Sequence, residues 1–140
     1  MIESPINLPA DLARFAVNVP YDQGEERVFD IFLPDSDTAT PLLVYFHAGG
    51  FTQGTKEEIY LLSSTLISTL LENGIAFASV NYRLLNGNET EGVIGPLEDG
   101  QRALQFMRYQ AENLNIDPGN IVLMGTSAGA GMSLWIAMGD

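Results

Sequence analysis

Two short stretches hold residues whose types and spacing can do chemistry. Gly125-Thr126-Ser127-Ala128-Gly129 sets one serine between two glycines. It follows the apolar run IVLM at 121–124 and opens a run that reads as a helix through Ser133, Leu134, Trp135 and Ile136. A serine at the tip of a sharp strand-to-helix turn presents its Oγ for nucleophilic attack. Flanking glycines let strand and helix close on each other, and the helix N-terminus favours developing negative charge. The second stretch is His47-Ala48-Gly49-Gly50-Phe51, directly after the apolar run LLVYF at 42–46. A glycine-rich loop leaving a strand can aim backbone N–H groups at a carbonyl oxygen. The first stretch also has two plainer readings. Ser127 fits a helix N-cap, and a glycine-rich turn at a helix start can bind phosphate. Gly125, Gly129 and Gly131 do not match G-x-G-x-x-G, however, and no lysine follows for a P-loop.

Composition narrows the chemistry. The 140 residues contain no cysteine, one histidine, six Lys plus Arg and eighteen Asp plus Glu, a net charge of −12. Without cysteine there are no disulfides, thiolate metal sites or cysteine nucleophiles. One histidine excludes a two-histidine metal site, and it leaves His47 as the only candidate partner for a serine within these residues. Neither metal nor cofactor is expected. So few cations, with Lys56 the single lysine, argue against a nucleic-acid partner. The N-terminus shows no basic start followed by an apolar stretch, so no signal peptide is visible and the cytoplasm is the default compartment. No apolar run approaches the ~20 residues of a membrane span. The length suits one domain over 1–140.

The motifs need elements to hold them. Pro5 and Pro9 make residues 1–14 read as irregular. FAVNV at 15–19 and RVFDIFL at 27–33, separated by the turn residues 21–25 and stopped by Pro34, read as an antiparallel pair at a sheet edge. The continuous apolar runs at 42–46, 75–80 and 121–124 read as strands covered on both faces. Residues 57–73 read as a helix with Ile59, Leu62, Leu66 and Leu70 near one face, ended by Asn73-Gly74. Pro96 starts a second helix that runs to about residue 113. It places Glu98 and Asp99 in its first turn, where they favour the dipole, and carries Leu97, Ala103, Leu104, Met107 and Ala111 inward. Asp117-Pro118-Gly119 reads as a turn. The order is a β pair, then β-α-β-α-β-α, which predicts an α/β protein with a mostly parallel sheet.

With these motifs in these places, the sequence resembles the N-terminal portion of an α/β-hydrolase, in the carboxylesterase/lipase group similar to hormone-sensitive lipase. FDIFLP (29–34), LLVYFHAGGF (42–51), VNYRL (80–84), PLEDGQRALQFMRYQAENLNIDPGNIVLMG (96–125) and SAGAG (127–131) carry the likeness. It implies Ser127 as nucleophile, with the N–H groups of Gly49, Gly50 and Ala128 as an oxyanion hole. It implies His47 as a loop-shaping residue and not the base, and Arg83 as a brace near the oxyanion site. Ala48 departs from the family's first glycine, a strain only if that position needs positive φ. Thr126 and Ala130 are milder departures. In the family an acid and then a histidine follow the serine in chain order, whereas after Gly129 this chain has only Asp140 and no histidine. The triad acid and base are therefore expected outside these residues.

The implied activity is hydrolysis of small carboxylic esters through a seryl acyl-enzyme, with these 140 residues inactive by themselves. Two other readings stay open: a non-catalytic hydrolase-like binding module, and one half of a two-chain hydrolase. The chain reads as truncated after the helix that follows Ser127, which would leave the strand at 121–124 as a bare apolar edge. Phe51 and Tyr82 fit either a wall of an acyl pocket or ordinary packing.

Overall fold

The computed structural model describes residues 3–8 and 13–139. The elements in chain order are β1 (Ala13–Pro20), β2 (Val28–Pro34), β3 (Thr40–Phe46), α1 (Glu58–Glu72), β4 (Ala76–Val80), α2 (Ile94–Tyr109), α3 (Ala111–Leu114), β5 (Ile116–Gly125) and α4 (Ala128–Gly139). They form one five-stranded sheet in the order β1-β2-β4-β3-β5. The β1–β2 pair is antiparallel, as predicted, and β2 also pairs antiparallel with β4. The β4–β3 and β3–β5 pairs are parallel. Among the described residues the sheet is thus evenly mixed rather than mostly parallel, because β2 runs against both of its neighbours.

Alternation along the strands sorts side chains onto two faces. Phe29, Ile31, Val44, Phe46, Ala78 and Val80 face α2 and α4, where they meet Leu97, Leu104, Met107, Met132 and Ile136. The intervening Phe32, Tyr45 and Phe77 face α1 and pack on Ile59, Ile67 and Leu71. Helices on both faces explain why β2, β3 and β4 read as near-continuous apolar runs.

Further sequence expectations need correction. In α1 the buried residues are Ile59, Ile67 and Leu71, while Leu62 is 75% exposed. The backbone of Ser63 leaves helical geometry (φ −160°, ψ 63°), so the apolar phase changes in mid-helix and a single 3.6-residue period fails. Helix α2 begins at Ile94, before Pro96, which puts Glu98 and Asp99 beyond its first turn. The segment 117–120 is an excursion within β5: Thr40 pairs with Ile116 and Leu42 with Ile121, so one residue of β3 faces four of β5. The Gly119 N–H closes that excursion on Asp117 Oδ1 (2.9 Å), so the turn chemistry survives inside the strand. Finally, β5 lies at the sheet edge with Val122 56% exposed, so it is not covered on both faces among the described residues. Of the stretch expected to be irregular, Ala13 and Arg14 join β1, and residues 1–2 and 9–12 lie outside the described residues.

Phe32 is fully buried and touches three rings: Phe15 (6.4 Å), Tyr60 (5.8 Å, edge-on) and Phe77 (6.5 Å). Truncation to Phe32→Ala is expected to cost about 3–5 kcal/mol, read as a lower urea midpoint. A midpoint within error of the parent would contradict this account of the α1-side core.

Candidate functional site

The two motifs meet because β3 and β5 are parallel neighbours in register. Phe46 pairs with Gly125, so the loop after β3 and the turn after β5 leave the sheet at the same level and side by side. Crevices of α/β sheets form at such carboxyl ends.

Ser127 occupies the turn with φ 54°, one of four non-glycine residues at positive φ among the described residues, and it is exposed. A left-handed backbone costs a residue with a Cβ roughly 1–2 kcal/mol, so the packing around it must hold it there. Two glycines make that packing possible. A Cβ on Gly125 would lie 2.3 Å from the Gly129 carbonyl carbon. A Cβ on Gly129 would lie 1.9 Å from the Phe46 carbonyl oxygen and 2.9 Å from that of His47. The turn is closed by Gly129 N–H to Thr126 O (3.0 Å) and Gly131 N–H to Ser127 O (3.1 Å). Beneath it, the Tyr45 hydroxyl lies 3.4 Å from Thr126 Oγ1.

The facing loop is equally constrained. Gly49 (φ 130°), Gly50 (φ 63°) and Phe51 (φ 65°) run consecutively at positive φ. Ala48 lies outside that group, so its methyl is accommodated without backbone strain. Gly49 O accepts from the N–H groups of Thr52 and Gln53 (both 3.1 Å), and a Cβ on Gly49 would lie 2.0 Å from Gln53 O. Among the described residues the Gly49 and Gly50 N–H groups have no hydrogen-bond acceptor.

His47 is buried at the start of this loop. Its ring stacks on Tyr82, with centroids 4.3 Å apart and planes within 8°. Nδ1 lies 2.7 Å from Ala48 O, an atom that only accepts, so Nδ1 carries the proton. Tyr82 donates its hydroxyl to His47 O (2.6 Å). Nε2 is buried without a partner among the described residues. Burial pushes the imidazole below its ordinary range. The bond to Ala48 and the negative charges of Glu58 and Glu57 pull it upward less strongly. This histidine is therefore neutral near pH 7.

Arg83 sits behind the loop in a clasp centred on Asp99. The Asp99 carboxylate accepts from Arg83 Nε (3.1 Å), Arg83 Nη2 (2.9 Å), the Arg83 backbone N–H (2.9 Å) and Arg27 Nε (3.0 Å). It is 1% exposed. Burial raises its carboxyl, but the bonds from Arg83 and Arg27 outweigh that and hold it below the usual carboxylate range. The same stretch reaches the loop directly: Leu85 donates its N–H to Phe51 O (2.7 Å), and the Phe51 ring lies 6.1 Å from that of Tyr82.

Ser127, Gly49, Gly50, Ala128, His47 and Arg83 thus fall at one end of the sheet. Tyr82, left open by the sequence, is a buried support for His47. Asp99, read there as a helix-start charge, is instead the anchor of Arg83. Nothing in the spacing named Asp99 as the partner of Arg83. No group of three or more His, Cys, Asp or Glu among the described residues is placed to hold a metal ion. No helix there is long and apolar enough to cross a membrane.

Comparison with known proteins agrees with this fold. The family model BD-FAE matches residues 29–140, and the chain belongs to this α/β-hydrolase family. The match establishes the α/β-hydrolase carboxylesterase-like N-terminal portion and does not extend to the narrower likeness to hormone-sensitive lipase. The chain is 34% identical over 108 residues to carboxylesterase patB of Penicillium expansum, covering 69% of this chain and 19% of that protein. It is 31% identical over 121 residues to the non-reducing polyketide synthase atr1 of Stereocaulon alpinum, covering 80% of this chain and 5% of that one. A truncated carbohydrate esterase from gut microbiota superposes with a TM-score of 0.74 at 26% identity, covering 91% of this chain and 45% of that one. The chain therefore spans less than half the length of each of these three.

Two outcomes follow from the clasp and the stacked imidazole. Asp99→Asn is expected to destabilise the fold by about 2–3 kcal/mol at pH 7, just below the range for fully buried pairs because Arg83 is partly exposed. The native Asp99 pKa is depressed, so its contribution is complete above the ordinary carboxylate value. It is lost as pH falls through the native one. The gap between the two proteins in urea melts must close as pH falls below about 4, and a gap that persists there contradicts the clasp. For His47, NMR titration is expected to show a neutral Nδ1–H ring at pH values below about 6.5; protonation at or above that value contradicts its burial.

Proposed function

We propose that these residues form the nucleophile and oxyanion-binding part of a serine carboxylic ester hydrolase. Ser127 Oγ attacks the ester carbonyl carbon and its proton passes to a base. The carbonyl oxygen, now negative, is held by the N–H groups of Gly49, Gly50 and Ala128. The alcohol departs with a proton, and water then releases the acid from the acyl-enzyme. Donors aimed at developing charge contribute about 10²–10³ in rate each. The observation that carries this reading is Ser127 at positive φ on an exposed strand-to-helix turn, packed through Gly129 against the loop whose Gly49 and Gly50 N–H groups lack acceptors.

His47 and Arg83 serve as scaffold in this reading. The His47 Nδ1 proton is directed at Ala48 O and the ring is stacked on Tyr82. It is also the only histidine in these residues. The base and the acid that orients it are assigned to the part of the relatives' length that this chain does not span. The esterase names of the relatives support small carboxylic esters as substrates.

The test is ester hydrolysis by the full-length protein that carries this chain. Ser127→Ala is expected to lower kcat by about 10⁴–10⁶ with the fold intact. Activity that survives the substitution would overturn the assignment.

A further inference from the structure

Away from Ser127, a second buried charge cluster lies between the sheet and α1. Lys56 and Asp30 are both buried (2% exposed each), with Lys56 Nζ 3.0 Å from Asp30 Oδ1. Asp30 Oδ1 also accepts from the Asn18 N–H of β1 (2.8 Å), and Asp30 Oδ2 accepts from the Tyr60 hydroxyl of α1. Lys56 Nζ further contacts Glu57 Oε1. A buried pair of this kind rarely adds net stability over apolar side chains of similar volume, so its geometry matters more than its energy.

That geometry fixes the end of the glycine loop. The Lys56 backbone N–H donates to Asn81 Oδ1 (2.7 Å), and its carbonyl accepts from the buried Ser79 hydroxyl (2.7 Å). With the ammonium on Asp30, one residue is tied to β2, to β4 and to the residue just after β4. Two positions earlier, Gly54 backs directly on the loop's entrance: a Cβ there would lie 2.4 Å from Ala48 O and 2.6 Å from His47 Nδ1. One position before that, the Gln53 carbonyl fills the space where a Gly49 Cβ would go. The order of contact therefore runs from Asp30 through Lys56, Gly54 and Gln53 to Ala48, Gly49 and Gly50.

We infer that Lys56, held by Asp30, is a positioning residue that sets where the Gly49 and Gly50 N–H groups point. This rests on the reading of those groups as oxyanion donors. The sequence shows Lys56 only as the single lysine of an acidic chain. Its burial beside Asp30 separates it from a solvated surface cation.

The experiment compares Lys56→Met, the charge-neutral pair Lys56→Met with Asp30→Asn, and the milder Ser79→Ala. Three readouts are urea midpoint, amide hydrogen exchange across 48–54, and steady-state ester hydrolysis by the full-length protein. Lys56→Met leaves the buried Asp30 carboxylate without its cation and lowers the midpoint. The neutral pair recovers most of the midpoint, yet its loop amides exchange about tenfold faster. In that pair and in Ser79→Ala, kcat falls by about 10- to 100-fold while KM holds within about twofold. A neutral pair that recovers midpoint, loop protection and kcat together would overturn the inference, as would a Ser79→Ala variant with unchanged exchange and kcat. The exchange readout needs no catalysis. If hydrolysis survives Ser127→Ala, the ester-hydrolase reading fails, while loop exchange alone still decides whether Lys56 positions the loop.

Discussion

The end of β3 and the start of α4 approach more closely than any side chain would allow. Gly129 lies against the Phe46 and His47 carbonyls, where a Cβ would sit 1.9 Å from Phe46 O. Gly125 makes the matching approach within the turn. These contacts hold Ser127 in a left-handed backbone conformation and seat its turn beside the glycine loop. Backbone strain of this sort persists only where the surroundings over-determine it. Here the parallel β3–β5 register, two glycines and the hydrogen bonds of the turn supply that constraint.

Around this contact three of the protein's six cations place loops. The chain holds only six Lys and Arg against eighteen acids. Arg27 and Arg83 close on Asp99, and Lys56 closes on Asp30. The first clasp ties α2 to the segment after β4, whose Leu85 reaches the Phe51 carbonyl. The second ties the far end of the glycine loop to β2. Each anion is 1–2% exposed, so each pair is costly to break on one side. The result is a loop pinned at His47 by stacking on Tyr82 and at Lys56 by charge, with its glycine N–H groups between the two pins.

What the sequence made legible follows from which forces are local. The apolar runs at 42–46 and 75–80 and the turn chemistry around Ser127 are short-range signals, and the corresponding strands and turn lie where those signals put them. The inward residues of α2, from Leu97 to Met107, also follow a helical period, and they are buried. Leu62 was misplaced because the break at Ser63 is a backbone event with no period of its own. The start of α2 moved because Ile94 and Gly95 enter the helix ahead of Pro96, a residue compatible with a first turn. Asp99 was unreadable as a clasp because its partners stand 16 and 72 positions away. Asp30 and Lys56 were hidden for the same reason. Long-range ion pairs leave no pattern in a single sequence, whereas a glycine that must approach a neighbouring backbone leaves its own identity.

The central claim is that the turn at Ser127 and the loop at Gly49–Gly50 act on one carbonyl group. The most direct measurement is a structure of the full-length protein after reaction with an alkyl fluorophosphonate. The account predicts a phosphonyl group on Ser127 Oγ, with one phosphoryl oxygen about 2.7–3.1 Å from the N–H groups of Gly49, Gly50 and Ala128. His47 should still be stacked on Tyr82. An adduct on another residue, or a phosphoryl oxygen turned away from those N–H groups, would contradict it.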